Sequence, residues 1–221
     1  MNSGGLKAPD ARCEPGRVVA GNVYRKWSSR NPLVRFLMRR FEATLDALVS
    51  PREATSLLEV GCGEGEVTNR LSDLAPGARV VALDIDLPIL RVSARKVEVP
   101  LLAASAEDLP FADDSFDLVV LCEVLEHLED PARAVREAAR VSRRHLVLTV
   151  PREPLWRTLN LLRGAYVGDL GNTPGHVQHW SRGAFLDFLG GVVEVQQVLN
   201  PVPWTAVLAE VRAGPAKDNE V

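Results

Sequence analysis

Apolar positions along this chain alternate between two rhythms. After Asn31-Pro32, a favourable helix start, Leu33, Val34, Phe36, Leu37, Phe41, Leu45 and Leu48 recur at helical spacing, with Arg35, Arg39, Arg40 and Glu42 between them. They predict an amphipathic helix ending near Ser50-Pro51. From Ser56 the pattern becomes Ser-Leu-Leu-Glu-Val and then Gly61, the short apolar run of a strand buried on both faces of a parallel sheet. Helical and strand-like runs then follow in turn. Helices are expected over 66–74, 88–97 and 131–141, and strands over 79–83, 101–103, 117–121 and 145–150. Two further strand-like runs, 192–199 and 204–211, are too close for a helix between them and should pair antiparallel. The stretch from Pro151 to Pro174 reads as a long irregular loop, followed by a helix from about Ser181.

This order predicts a Rossmann-like α/β fold. Its sheet should be mainly parallel and seven-stranded, with helices on both faces and an antiparallel C-terminal strand pair. The 221 residues suit one such domain. Residues 1–50 are expected to form a flexible leader and an N-terminal cap helix, and 51–221 the ligand-binding domain. The net charge of -3 argues against general nucleic-acid binding. The three cysteines, Cys13, Cys62 and Cys122, lie far apart with no CxxC pair, which argues against a disulfide framework or zinc site. Without an apolar leader or spanning run, the expectation is a cytoplasmic protein with no integral membrane association.

The candidate chemistry starts at Glu59-Val60-Gly61-Cys62-Gly63-Glu64-Gly65, an acid near a strand end followed by three alternate glycines and a helix. In the dinucleotide fingerprint GxGxxG the helix N-terminus receives a pyrophosphate. Here the spacing is GxGxG, and Glu64 and Glu66 occupy that position. Two carboxylates would repel a pyrophosphate but suit a phosphate-free cofactor carrying sulfonium and ammonium charges. Asp84 ends the second strand about 20 residues further on, where an acid accepts hydrogen bonds from ribose hydroxyls.

With Asp84-Ile85, Ala106-Glu107-Asp108-Leu109-Pro110-Phe111, Ser115-Phe116-Asp117 and Val124-Leu125-Glu126-His127, this loop resembles the class I S-adenosylmethionine-dependent methyltransferases, in particular the ubiquinone and menaquinone methyltransferase branch. The resemblance covers roughly 56–150 well and the rest loosely. It implies that Glu59, Gly61 and Gly63 hold the methionine end of S-adenosyl-L-methionine, that Asp84 holds its ribose, and that Ile85 packs on the adenine. Ala106 would meet the adenine edge through its backbone, with Glu107 beside it. Cys122 and Glu123 would face the methionine part and the substrate. Ser105 stands where the family often has Asp, a weaker acceptor for the adenine amino group. The cofactor-binding set is therefore Glu59, Gly61, Cys62, Gly63, Gly65, Asp84, Ile85, Ser105, Ala106, Glu107 and Cys122.

The expected reaction is in-line transfer of the methyl group to a small-molecule acceptor, with His176, His179 and Glu123 as candidate general bases. Tyr24 is a candidate lid residue. Glu123, Glu126 and His127 could hold a cation if the chain converges them, or could simply order the turn after the fourth strand; no metal ligand is assigned. The competing expectations are a cofactor-binding regulatory protein without transferase activity and a dinucleotide-dependent oxidoreductase.

Overall fold

The computed structural model describes residues 26–162 and 164–212. Seven strands form one sheet: β1 (Ser56–Val60), β2 (Arg79–Asp84), β3 (Leu101–Ala103), β4 (Phe116–Cys122), β5 (Ser142–Pro151), β6 (Glu194–Leu199) and β7 (Trp204–Glu210). Their spatial order is β3-β2-β1-β4-β5-β7-β6. The first five are parallel, and β7 inserts antiparallel between β5 and β6. The strand order reverses between β1 and β4, so a crevice opens above their carboxyl ends, where ligands bind in sheets of this kind.

The helices are α1 (Pro32–Val49), α2 (Glu66–Leu74), α3 (Leu87–Ser93), α4 (Pro131–Val141), α5 (Leu155–Leu162) and α6 (Arg182–Gly190). Side-chain caps set several starts: Asn31 accepts from Leu33 N–H, Asp86 from Ile89 N–H, Asp130 from Arg133 N–H and Ser181 from Ala184 N–H. Alternation along β1 divides the core into two layers. Leu58 and Val60 pack with α4 residues Ala134, Val135 and Ala138 and with Phe185 and Leu189 of α6. Leu57 faces the other way, toward Met38, Phe41, Leu45 and Leu48 of α1 and Leu71 of α2. Helix α1 is thereby packed directly on the sheet, and Trp204 of β7 joins the same layer.

The expected alternation, the seven-stranded mixed sheet and the antiparallel final pair are all present. Two local expectations are corrected. Helix α3 ends at Ser93 rather than at Val97; from there Arg95 and Lys96 N–H groups bond three residues back, tightening the turn that leads into β3. The 151–174 stretch is not irregular throughout, because α5 follows Pro154. Leu155, Trp156, Leu159 and Leu162 carry helical spacing there, but Leu161 and Leu162 are exposed and Asn160 is the residue of this helix that is buried. Tyr24 and Cys13 lie outside the described residues. Among the described residues, no helix is long and apolar enough to cross a membrane.

The amino edge of the sheet is fastened by one carboxylate. Asp117 Oδ2 accepts from the N–H and hydroxyl of Thr55 (3.0 and 2.7 Å) and from the N–H and hydroxyl of Ser56 (both 3.1 Å). Its Oδ1 accepts from Arg143 at 2.6 Å. One side chain thus ties together the starts of β1, β4 and β5. Burial works to raise its pKa, but the donors of Thr55 and Ser56 outweigh it and hold the carboxyl down at about 2. A group depressed in the folded state stabilises the fold above its unfolded pKa and loses that contribution as pH falls through the folded value. Acid unfolding of the wild-type chain is therefore expected to include a contribution lost between about pH 4 and pH 2. D117N should lower stability at neutral pH by about 1.5–3 kcal/mol and remove that part of the acid transition, as read by denaturant melts at several pH values.

Candidate active site

The crevice at the carboxyl edge is a cleft of about 460 Å³, within the range of small-molecule sites. The loop after β1 forms its floor. Gly61 and Cys62 N–H groups donate to the Leu83 carbonyl at 2.8 and 2.9 Å, and Gly63 N–H donates to Asp84 Oδ2 at 2.9 Å. Gly61 (φ 77°) cannot be replaced cheaply, because a Cβ there would collide with the Val124 side chain. Gly63 lines the cleft and a Cβ there would meet nothing within 4 Å, so its bareness leaves room beside the loop. Gly65 does not line the cleft. It starts α2 at φ 87° and packs against Ser93 and Val97.

The other ten residues of the expected cofactor set all line this one cleft. Those from the β2 and β3 tips (Asp84, Ile85, Ser105, Ala106, Glu107) lie on one side of β1. Cys122, at the β4 tip, lies on the other. Asp84 is buried and also accepts from Asp86 N–H at 3.0 Å, whereas Ile85 is half exposed. The Ser105 hydroxyl accepts from Glu107 N–H at 3.1 Å, so part of its acceptor capacity is spent within its own turn. Burial, reinforced by the charges of Glu59 and Asp84, pushes the Cys62 thiol up to about 12. Cys122 is raised as well, chiefly by burial, so neither cysteine is a thiolate at neutral pH.

The electrostatics differ from the sequence-based expectation. Lys96 Nζ lies 2.9 Å from both Glu64 Oε2 and Glu66 Oε1, so these two acids share a cation and present less negative charge than their sequence positions suggest. Two buried acids at the cleft wall, Glu59 and Asp84, lack such a cation. Among the described residues neither has an ion-pair partner. Burial raises Glu59 to about 7, Thr68 Oγ1 donating at 2.5 Å pulls the other way, and the charge of Asp84 adds to the rise.

The three candidate bases are not brought together. Glu123 lines the cleft, with backbone φ 59° in the left-handed region and Oε2 accepting from Trp204 Nε1 at 2.7 Å; Lys26 Nζ is 3.7 Å from the same oxygen. Its pKa is raised by burial, against the opposing effects of Lys26 and the Trp204 hydrogen bond. His176 is buried behind the lining, between the rings of His127 (4.9 Å, edge-on) and Trp156 (6.1 Å, stacked). Burial, followed by the neighbouring positive groups, lowers it to about 3. His179 is exposed, away from the lining, with Nε2 2.8 Å from Asn172 Oδ1. The imidazole that does line the cleft is His127, whose Nδ1 is 3.0 Å from the Gly175 carbonyl oxygen. Glu126, beside it, is buried and raised well above the ordinary carboxylate value by burial and then by Glu123. Lys26, Trp27 and Phe41 complete the wall near Glu123.

A family model described as a methyltransferase domain matches residues 58–148. A probable S-adenosylmethionine-dependent methyltransferase of Mycobacterium tuberculosis (strain ATCC 25618 / H37Rv) is 38% identical over 109 residues, 49% of this chain and 39% of that protein. A demethylmenaquinone methyltransferase of Roseiflexus sp. (strain RS-1) is 30% identical over 166 residues, 71% of this chain and 70% of that protein. The chain belongs to the S-adenosylmethionine-dependent methyltransferases.

Solved structures agree on the fold of this methyltransferase. A protein of Pyrococcus horikoshii OT3 superposes with TM-score 0.65 at 16% identity, covering 83% of this chain and 93% of that one. Magnesium protoporphyrin IX methyltransferase of Synechocystis PCC 6803 superposes with TM-score 0.61 at 19% identity, covering 84% and 92%. The cofactor of the methyltransferase is S-adenosylmethionine, and the residues present suit it. Two buried, cation-free carboxylates face the cleft where a sulfonium and an ammonium need counter-charge, and the bare face of Gly63 admits a ligand against the backbone.

Glu59 lines the cleft with a raised pKa, so cofactor uptake is expected to depend on pH. A cation favours the ionised carboxylate, so binding should expel the proton that free enzyme holds below about pH 7. Apparent affinity for S-adenosylmethionine is expected to fall as pH drops below 7, by up to about tenfold per unit. Calorimetry in buffers of different ionisation enthalpy should register proton release, and E59Q should flatten the profile.

Proposed function

We propose that this methyltransferase acts on a small-molecule acceptor bearing a ring, by in-line methyl transfer within the cleft. The observation that carries this is the division of the cleft by β1. Residues from the β2 and β3 tips form one side, and Cys122, Glu123 and His127, with Trp27 and Phe41, form the other. We assign the first side to the nucleoside and the second to the acceptor.

When bound, the cofactor supplies a methyl group on a positively charged sulfur, already activated toward displacement. The chain itself contributes placement. Asp84 offers acceptor oxygens to the ribose, Glu59 faces the cationic end, and the loop backbone fixes their separation. Glu123 stands at the acceptor side and can take a proton from a protonated nucleophile. Trp204 holds its Oε2, so the carboxylate keeps one orientation. Trp27 and Phe41 give this end an aromatic wall (centroids 6.1 Å apart) that can pack on a ring and exclude water. Two relatives support a ring-bearing acceptor through their printed names: the demethylmenaquinone methyltransferase already cited, and a ubiquinone/menaquinone biosynthesis C-methyltransferase of Hahella chejuensis (strain KCTC 2396), 34% identical over 137 residues.

The test follows release of S-adenosylhomocysteine with a panel of phenols, quinols and aliphatic amines, alongside transfer RNA and a peptide mixture. Turnover is expected with ring compounds. Turnover confined to the macromolecules would overturn the proposal. D84N is expected to weaken S-adenosylmethionine binding by about 10- to 100-fold, from the loss of charge-assisted hydrogen bonds. E123Q should lower kcat with little change in cofactor affinity.

A further inference from the structure

We propose that Lys26 is the specificity-determining residue of the acceptor side, and that its ammonium pairs with an anionic oxygen on the ring compound to be methylated. Among the described residues that line the cleft, Lys26 is the one lysine or arginine. The side assigned to the nucleoside has acids instead, with Glu59, Asp84 and Glu107 in its wall and Glu64 and Glu66 sharing Lys96. A cation on that side would repel a positively charged cofactor. Set at the opposite end, it gives the cleft two ends of opposite preference, one for a positive group and one for a negative group.

The aromatic wall fixes where this charge stands. Trp27, the next residue, packs edge-on to Phe41, and Phe41 packs on Trp204 with ring centroids 5.0 Å apart. The segment is thereby fastened to the core layer that contains α1 and the start of β7. Lys26 Nζ lies over the Trp204 ring, 5.8 Å from its centroid, and the side chain is 20% exposed. The electron-rich face of an indole attracts an ammonium without neutralising it, so the charge stays available to a ligand.

The pairing with Glu123 also leaves room. Nζ is 3.7 Å from Glu123 Oε2, beyond hydrogen-bond distance, while Trp204 Nε1 holds that oxygen at 2.7 Å. An ammonium has three N–H donors, and a ligand oxygen can take one without displacing the bond between Trp204 and Glu123. The reach of the charge is visible on its neighbours. Burial raises the Glu123 carboxyl and Lys26 opposes the rise. Burial lowers the His127 and His176 imidazoles, and Lys26 adds to the fall of both.

This deepens the small-molecule reading above and rests on it. A ring hydroxyl between Nζ and Glu123 gives its proton to the Glu123 carboxylate as the O–H bond breaks. Glu123 becomes neutral as the acceptor oxygen becomes negative, so Lys26 exchanges one counter-ion for another and no half-buried charge is left alone. The electron pair of that oxygen, or of a ring carbon conjugated with it, forms the bond to the methyl carbon. The C–S pair stays on sulfur, and neutral S-adenosylhomocysteine leaves. A carboxylate substituent on the ring would meet Nζ by the same chemistry and orient the ring without reacting.

Ring anions are the probes, added to full-length protein saturated with S-adenosylhomocysteine. 4-Nitrophenol tests an ionised ring oxygen, because its phenolate absorbs in the visible and reports its own protonation when bound. Benzoate against benzamide tests a carboxylate substituent, read by quenching of tryptophan fluorescence. Wild type is expected to bind the anion of at least one pair about tenfold or more tightly than the neutral form. Preference for the phenolate alone assigns Nζ to the nucleophile, and preference for benzoate alone assigns it to an orienting substituent. K26M should abolish the preference while still binding S-adenosylhomocysteine, and K26R should restore most of it. Equal binding of both forms by wild type in both pairs, or a preference that K26M keeps, overturns the proposal. Should K26M not fold, the wild-type comparison decides alone. Turnover of ring compounds with no preference for anions removes the role of Lys26 and leaves the proposed function standing. Anion binding that K26M loses, without turnover of any ring compound, supports the Lys26 site and counts against the proposed function instead.

Discussion

Three backbone donors at the tip of β1 fix the geometry on which the cleft depends. The N–H groups of Gly61 and Cys62 reach the carbonyl of Leu83, and that of Gly63 reaches the carboxylate of Asp84. The loop cannot shift without releasing the end of β2, and Asp84 cannot turn away without leaving a backbone donor exposed. The distance between Glu59 and Asp84 follows from this tie, since both side chains belong to adjacent paired strands. Burying the Glu59 carboxylate costs energy, to which the nearby Asp84 charge adds a smaller part, and this appears in its raised pKa. A cationic ligand would offset that cost, so the raised pKa and an affinity for positive charge would have a common origin.

The alternation of strands and helices was legible from apolar spacing because each strand of the parallel core is a short uninterrupted run and each long helix has one polar face. The loop from Glu59 to Gly65 and the acid at position 84 were legible for a similar reason, since local spacing fixes what a strand-turn-helix unit can hold. Helix α5 was not, because it is short, follows Pro154 and buries none of its apolar residues, so its leucines mimic a loop with scattered hydrophobics. The contacts around Glu123 and His127 were also hidden. Trp204 meets Glu123 across 81 positions of sequence, and His176 meets His127 across 49. Such pairs follow from sheet order and loop docking, which no local pattern encodes.

Glu64 and Glu66 show how a correct expectation can rest on the wrong residues. By sequence position they oppose a pyrophosphate, yet Lys96, 30 positions beyond Glu66, satisfies both. The cationic preference passes instead to acids that are buried and lack a cation. Charge counted along the chain measures this poorly; what matters is which carboxylates burial isolates and which find a partner.

Strand β7 runs against its neighbours, and Trp204 at its beginning stands opposite Pro151 at the end of β5. In the parallel strands it is the final residues that face the crevice. In β7 the order is inverted, so the first residue arrives at the functional rim while the rest of the strand continues the sheet. The closing hairpin is therefore both architectural and part of the cleft's setting: a change near its entry would act on Glu123 without touching the tips of β2 and β3. The glycine loop and this hairpin thus shape the two ends of one cleft through separate contacts.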